Sequence, residues 1–235
     1  MSDAPRHTAL VRTTHWITAL CFLALLVSGV EILISHPRFY WGESGNASGP
    51  ALFQLPIPAS RGGVKTGYAF VLKDQNGWSR SLHFQAAWVV AFTALLYGIS
   101  GFVTGHFRRH LLPARAQLAW PKLLQALAEH WRFQRPNTTS YNVLQRLTYL
   151  MVIFVLFPLM IWTGLAMSPG FTAAVPFTVT VFGGQQSART IHFFLTLALV
   201  LFVLVHVVMV SLAGFKQSMR AMITGRFAVT DREQS

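Results

Sequence analysis

Four histidines lie within or at the ends of long apolar runs, where an ionisable side chain is costly and usually serves a function. They are His15, His83, His192 and His206. A neutral imidazole can bind a metal through one ring nitrogen and donate a hydrogen bond from the other. A single such histidine is more often a packing residue, so the arrangement of the four in the membrane decides between these interpretations.

Four apolar segments are each long enough to cross roughly 30 Å of hydrocarbon, which takes about 20 residues. Each must satisfy its backbone hydrogen bonds internally, which predicts helices. The composition agrees, because 53% of the 235 residues are hydrophobic and only 11% are charged. We therefore predict an all-α membrane protein, a four-helix transmembrane bundle that forms one domain over residues 1–235. Its helices are expected at residues 14–34, 82–104, 144–167 and 188–215.

The connections between these helices predict an orientation. The N-terminus, the 104–146 connection and the C-terminus hold thirteen of the nineteen Lys and Arg residues. The positive-inside rule then places both termini in the cytoplasm of a bacterial inner membrane. The first outer connection, 35–81, is longer than a turn requires and is interpreted as a folded cap or a docking surface for an extracytoplasmic partner. Residues 120–132 predict an interfacial amphipathic helix between the second and third helices.

Charge and cysteine content exclude several classes of protein. The formal net charge of +12 does not indicate a nucleic-acid partner, because the basic residues lie between apolar runs and not on one soluble basic domain. The one cysteine, Cys21, allows no intramolecular disulfide and no cysteine-ligated zinc or iron–sulfur site. No Cys-x-x-Cys-His motif occurs, so any haem must be bound non-covalently.

The spacing of the histidines predicts two layers. His192 and His206 are 14 residues apart in the fourth helix, which separates them by about 21 Å along the axis but only ~40° around it. In the predicted orientation, His83 and His192 lie near the outer surface, and His15 and His206 near the inner surface. Two facing imidazoles in an apolar bundle can bind one b-type haem, so two haems are predicted. Zinc fits less well, because two histidines do not complete a tetrahedron.

An arginine stands three residues before three of these histidines, one turn closer to the membrane surface: Arg12, Arg80 and Arg189. Because guanidinium matches carboxylate geometry, Arg80 and Arg189 are predicted to flank the outer haem propionates, and Arg12 those of the inner haem. The alternative for each is snorkelling to the interface. Gly29 falls at outer depth, where it would let a flat ring approach the first helix, although helix packing is the competing explanation.

These motifs resemble a known family, the bacterial di-haem cytochromes b that include the nickel–iron hydrogenase cytochrome b subunit and the formate dehydrogenase gamma subunit. The resemblance covers residues 12–215. It rests on RTTHW at 12–16 with a following helix that ends in SG, on RSLH at 80–83, and on RTIH at 189–192 with a second histidine 14 residues on. It implies two b haems, and electron transfer between a quinone pool and a catalytic partner. The long first outer connection resembles members found beside periplasmic molybdopterin-dependent oxidoreductases.

The resulting hypothesis is a membrane electron conduit, a haem subunit of an oxidoreductase and not a complete enzyme. His106 and Arg109, at the inner end of the second helix, are considered for a quinone site, although interfacial anchoring is the simpler explanation for both. Two alternatives stay open. One is a stand-alone quinone-linked membrane oxidoreductase acting, for example, on superoxide, and the other is a non-redox membrane anchor or transporter.

Overall fold

The computed structural model describes residues 8–45, 49–57, 77–113 and 143–225. Within these residues, four helical spans are long and apolar enough to cross a membrane, with 24 to 28 residues each. They are α1 (Ala9–Ser35), α2 (Trp78–Val103), a third span (Val143–Ala166) and a fourth span (Gln185–Leu212). The predicted all-α membrane protein with four spans is confirmed.

The third span changes its hydrogen-bonding pattern in the middle. Its first part, α3 (Val143–Met151), passes into a π-helical segment (Val152–Leu156) that leads into α4 (Phe157–Ala166). Pro158 lies in the first turn of α4, and its nitrogen has no hydrogen to donate to the preceding turn. The π-helical segment shifts the bonding by one residue, which lets the span continue through the proline.

Short helices precede and follow the fourth span. α5 (Pro169–Ala174) and α6 (Phe177–Thr180) connect the third span to α7, which is the fourth span (Gln185–Leu212). Gly214 then adopts a φ of 110°, and α8 (Phe215–Thr224) begins as a separate helix. The sequence predicts that the fourth helix ends at residue 215, because the apolar run continues to that point. The helix ends earlier, at Leu212, and the backbone turns at Gly214.

The described part of the first outer connection is folded. β1 (Arg38–Phe39) pairs antiparallel with β2 (Phe53–Gln54). The ring of Phe39 is 2% exposed and lies 4.6 Å from the rings of Phe53 and Phe193, centre to centre. This aromatic cluster joins the small sheet to α7. Residues 46–48 and 58–76 of the connection, and the interfacial helix predicted at 120–132, lie outside the described residues.

The chain forms two compact units. We call them the His15 unit and the His83 unit after one histidine in each. The His15 unit contains Met1–Trp16, Thr93–Val155 and Leu199–Ser235, and the His83 unit contains Ile17–Phe92 and Leu156–Ala198. The four predicted ligands therefore divide into two pairs, one in each unit.

Candidate functional site

In the His83 unit, α2 and α7 bring two imidazole rings close together. The ring centres of His83 and His192 are 6.3 Å apart, and the ring planes are inclined by 59°. Each histidine lies in the first part of its helix, a few residues after the helix begins. The two residues that the helical spacing predicted at outer depth are thus neighbours in space.

A buried hydroxyl group contacts each of these two rings. Ser28 Oγ lies 3.0 Å from Nδ1 of His83, and Thr163 Oγ1 lies 2.9 Å from Nδ1 of His192. Each hydroxyl also donates its own hydrogen to the carbonyl four residues earlier in its helix, at 2.6 and 2.8 Å. Both hydroxyls are therefore set to accept a hydrogen bond from the imidazole, which leaves the Nε2 lone pair of each ring for a metal.

A glycine follows each hydroxyl residue and lies beside the same ring. A Cβ atom built on Gly29 would lie 3.5 Å from Cε1 of His83, and one built on Gly164 would lie 3.7 Å from Cε1 of His192. Both distances are ordinary van der Waals contacts. The structure thus places Gly29 against the ring of His83, while its predicted clearance of a haem stays a prediction.

The His15 unit contains the second pair of imidazoles. The ring centres of His15 and His206 are 6.4 Å apart, with the planes inclined by 53°. Phe202 stacks on His206 at 5.8 Å, and Trp16 meets His15 edge-on at 5.3 Å. Among the described residues, no side chain hydrogen-bonds either imidazole. Aromatic rings therefore border this pair, in contrast to the hydroxyl groups of the other unit.

Both separations fit a metal bound between two imidazoles. A metal held by one nitrogen of each ring, at a metal–nitrogen distance of about 2.0–2.1 Å, would keep the ring centres roughly 6.5 Å apart. A direct N–H···N hydrogen bond of about 2.9 Å would give only about 5.3 Å. The observed values are 6.3 and 6.4 Å. Within the described ranges, no third His, Cys, Asp or Glu joins either pair, and a haem could be held by two histidines alone.

Arg189 of α7 forms hydrogen bonds to the first outer connection. Its NH1 donates to the carbonyl of Arg38 at 3.1 Å, and its NH2 donates to the carbonyl of His36. The neighbouring Thr190 hydroxyl donates to the carbonyl of Tyr40 at 2.8 Å. These bonds to the outer connection had no signal in the sequence. The predicted contact of Arg189 with a haem propionate stays a prediction beside them.

Arg80 extends towards His36, which follows directly after α1. The NH2 group of Arg80 lies 3.5 Å from Nε2 of His36. Burial, and then the positive charges of Arg189 and Arg80, lower the pKa of His36, while a hydrogen bond to the Ile32 backbone raises it. His36 is therefore mainly neutral near pH 7. Helical spacing could not identify His36, because it lies outside the apolar spans.

Arg12 and Trp16 bind the C-terminal end of α8. Arg12 NH1 donates to the carbonyl of Ile223 at 2.6 Å, and Trp16 Nε1 donates to the carbonyl of Met222 at 3.1 Å. The last carbonyls of a helix lack partners within it and carry partial negative charge, which favours a guanidinium there. The structure thus gives Arg12 a capping role, and its predicted propionate contact stays a prediction.

His106 and Arg109 follow the C-terminal end of α2, His106 directly before a π-helical turn (Phe107–Leu111) and Arg109 within it. The ring centre of His106 is 6.3 Å from that of Tyr97 and 6.1 Å from that of Phe107. The turn packs Phe107 into the side of α2. Two aromatic rings thus lie beside His106, and its relation to a quinone stays a prediction.

Four apolar spans that carry two pairs of neighbouring histidines are the arrangement expected of a multi-pass membrane cytochrome of the b type. The model of the prokaryotic cytochrome b561 family matches residues 6–225, and the chain belongs to that family. It is 28% identical over 224 residues to a protein of Azospira oryzae named "Putative protein-methionine-sulfoxide reductase subunit YedZ1", an alignment that covers 93% of this chain and 96% of the relative. No solved structure matches the chain.

The predicted family is thereby confirmed. The chain is a multi-pass bacterial membrane protein with a b-type haem cofactor, and it takes part in electron transfer. The non-redox anchor and the transporter are set aside, because the chain belongs to a family of cytochromes.

Proposed function

We propose that the chain is a di-haem cytochrome that transfers electrons across the bacterial inner membrane between a periplasmic oxidoreductase and the quinone pool. The observation that carries this proposal is the presence of two separate imidazole pairs, with centres 6.3 and 6.4 Å apart. We assign His83 and His192 to an outer haem, and His15 and His206 to an inner haem. A bound haem supplies reversible one-electron oxidation and reduction.

The protein's own contribution is to hold the ligands in place. The continuous helix α7 supplies one histidine to each pair, His192 and His206. Large apolar side chains on α2 remain exposed, for example Phe92 at 63% and Phe102 at 69%. They are suited to contact lipid, which would exclude water from the spans. With both termini in the cytoplasm, the first outer connection would face the periplasm.

The name of the relative supports a partnership with a catalytic chain. It describes a subunit of a protein-methionine-sulfoxide reductase. We propose a periplasmic molybdopterin-dependent oxidoreductase as the partner of this chain, docked on the outer side. The folded part of the first outer connection offers a surface there, on which Trp41 is 60% exposed and Glu43 is also exposed.

The decisive test is haem content. The purified chain should show the absorption bands of reduced low-spin b haem, with two haems per polypeptide and two components in a redox titration. A colourless protein, or one haem per chain at full occupancy, would contradict the proposal. Reduction by a quinol in membrane vesicles tests the quinone link.

Co-purification tests the partner. A periplasmic oxidoreductase should co-purify with the tagged chain, and its substrate should reoxidise the haems only when that subunit is present. Substrate-driven turnover by the isolated chain alone would instead support a stand-alone membrane oxidoreductase.

A further inference from the structure

We propose that Ser28–Gly29 and Thr163–Gly164 are matching positioning pairs for the two ligands of the outer haem. In each pair the hydroxyl selects the tautomer of the imidazole, and the glycine leaves room for the ring beside the helix. This inference rests on the proposed function, because it takes His83 and His192 as iron ligands. The two pairs belong to different helices, α1 and α4, yet they meet their rings in the same way.

The direction of each hydrogen bond follows from the other bond that the hydroxyl makes. Ser28 and Thr163 are both 0% exposed, so water does not compete for either group. Each has one hydrogen, which the carbonyl four residues earlier accepts at 2.6 or 2.8 Å, with a longer contact to the carbonyl three residues earlier at 3.2 or 3.0 Å. That second carbonyl, of Leu25 or Met160, is also a hydrogen-bond partner of the imidazole and favours the same tautomer. The oxygen lone pairs then face Nδ1 at 3.0 and 2.9 Å, and only an Nδ1–H group can donate to them.

This choice of tautomer decides whether the ring can bind iron. A neutral imidazole carries its hydrogen on one nitrogen and its lone pair on the other. With the hydrogen on Nδ1, the Nε2 lone pair is available to the iron. The opposite tautomer would direct an Nε2–H group at the metal, and the hydroxyl could then bond Nδ1 only by turning its hydrogen away from the helix carbonyl. Ser28 and Thr163 thus favour the binding-competent form of His83 and His192 before haem is bound.

Each glycine lies beside the Cε1 atom of the ring that its hydroxyl neighbour contacts. Consecutive residues on a helix are 100° apart, which places Gly29 and Gly164 beside the hydroxyl that precedes each of them. A Cβ atom at either position would contact Cε1, the ring atom between the two nitrogens, at 3.5 Å for Gly29 and 3.7 Å for Gly164. A single methyl group fits at these distances. A branched or longer side chain would push the ring away from its hydroxyl partner.

The inner pair provides an internal comparison. Neither His15 nor His206 has a hydrogen-bonded side chain among the described residues, and Phe202 stacks on His206. A hydrogen bond from Nδ1–H raises the basicity of an imidazole ligand, and a more basic ligand stabilises ferric iron. Removal of a hydroxyl should therefore shift the midpoint potential of the outer haem to a more positive value and leave the inner haem unchanged.

The test replaces each hydroxyl and records the two haems separately by redox titration and low-temperature electron paramagnetic resonance. Ser28→Ala and Thr163→Ala should each move the same haem component. The expected positive shift corresponds to up to about tenfold in the one-electron equilibrium constant, or about 59 mV. The g values of that component should also change, because the ring loses a contact that sets its orientation. Haem affinity should fall by about 10-fold.

Conservative variants and a matched control separate positioning from general damage. Ser28→Thr and Thr163→Ser keep the hydroxyl and should retain wild-type potentials. Thr148 lies on the third span, as Thr163 does, and its hydroxyl donates to the Leu144 carbonyl, with no imidazole partner among the described residues. Thr148→Ala should change neither haem.

Two results would overturn the inference. One is that Ser28→Ala and Thr163→Ala move the outer component no more than Thr148→Ala does. The other is that an alanine variant loses the outer haem and its hydroxyl-retaining counterpart loses it as well. Failure of the proposed function is visible separately, since the unmodified protein would then lack two haems.

Discussion

The imidazole rings of His83 and His192 are neighbours, with their centres 6.3 Å apart and their planes inclined by 59°. Because both histidines would hold the same haem, His83→Ala and His192→Ala should each remove that haem. Haem extraction should give one haem per chain in either variant, and redox titration should lose the same component in both. His15→Ala and His206→Ala should remove the other component.

The pairing of His83 with His192 can be contradicted by the same experiment, and the chain offers a control. If His83→Ala and His192→Ala removed different components, the rings could not be ligands of one iron, and the assignment would be wrong. His106→Ala changes a histidine of the same chain that belongs to neither pair. It should retain two haems with unchanged potentials.

Substitutions of Gly29 test how large a side chain fits beside the ring of His83. A Cβ atom there would meet His83 Cε1 at 3.5 Å, which is an ordinary contact. Gly29→Ala should therefore retain the outer haem. Gly29→Leu adds three further carbon atoms beside the ring, and overpacking of this kind costs about 1–3 kcal/mol, so this variant should bind the outer haem less tightly. Haem content after dilution into detergent measures both effects, and loss of haem already in Gly29→Ala would show that the site tolerates no methyl group.

The arrangement of the four histidines could be predicted because it depends on regular helix geometry. Helical rise and the order of the spans place His83 near His192 and His15 near His206, and no tertiary detail is needed. The partners of these rings could not be predicted in the same way. Ser28 and Thr163 bond their own helix carbonyls, as hydroxyl residues in membrane helices commonly do, and only the packed structure shows the second contact.

The hydrogen-bond partners of the arginines could not be predicted from the sequence either. The motif places Arg12 and Arg189 one turn before a histidine, which sets their depth in the membrane. Their hydrogen-bond partners come from elements distant in sequence, namely α8 for Arg12 and the first outer connection for Arg189. No periodic pattern in the sequence indicates that α8 lies near Arg12, or that the first outer connection lies near Arg189. Gly214 likewise turns the backbone between α7 and α8 through a positive φ, which an apolar run does not reveal.

Gly184 is predicted to be required for the folded outer connection. It has a φ of 121°, and a Cβ atom there would lie 2.4 Å from the backbone of Gly42. Gly184→Ala should cost at least about 1–3 kcal/mol from backbone strain alone, and the clash with rigid backbone adds to this. Thermal unfolding in detergent should show a lower midpoint for this variant. Gly170, where an added Cβ would meet no atom within 4 Å, is the control, and an equal loss in Gly170→Ala would contradict the explanation.

Arg12 and Trp16 are predicted to hold α8 in place. Trp16→Phe removes only the indole donor to the Met222 carbonyl, and Arg12→Gln removes the charged donor to the Ile223 carbonyl. Loss of one such bond costs about 0.5–1.5 kcal/mol for a neutral donor and about 1.5–3 kcal/mol for a charged one. Amide exchange in α8 should therefore accelerate in both variants, and more in Arg12→Gln.

The same variants distinguish capping from a role beside the inner haem. If Arg12 only caps α8, Arg12→Gln should leave the inner haem potential at its wild-type value. A negative shift of the inner potential in Arg12→Gln, absent in Trp16→Phe, would show that the guanidinium also neutralises a propionate. The outer haem serves as the internal reference in both measurements.

His36 should make the outer connection sensitive to acid. Burial and the charges of Arg189 and Arg80 lower its pKa in the folded protein below the ordinary value of 6.5. Above pH 6.5 the histidine is neutral whether the connection is folded or not, so stability does not depend on it. As the pH falls below 6.5, the unfolded form takes up a proton more readily than the folded one, and stability is lost progressively. The amide of Gly42, which donates to Ser187 Oγ at 2.7 Å, reports on this docking.

Exchange of the Gly42 amide, corrected for its intrinsic pH dependence, should therefore accelerate as the pH falls below the ordinary histidine pKa of 6.5. His36→Gln removes the titrating group and should flatten this dependence. Arg80→Gln removes one of the two charges that oppose protonation, so it should reduce the acid sensitivity without abolishing it. An unchanged pH profile in His36→Gln would assign the acid sensitivity to another group.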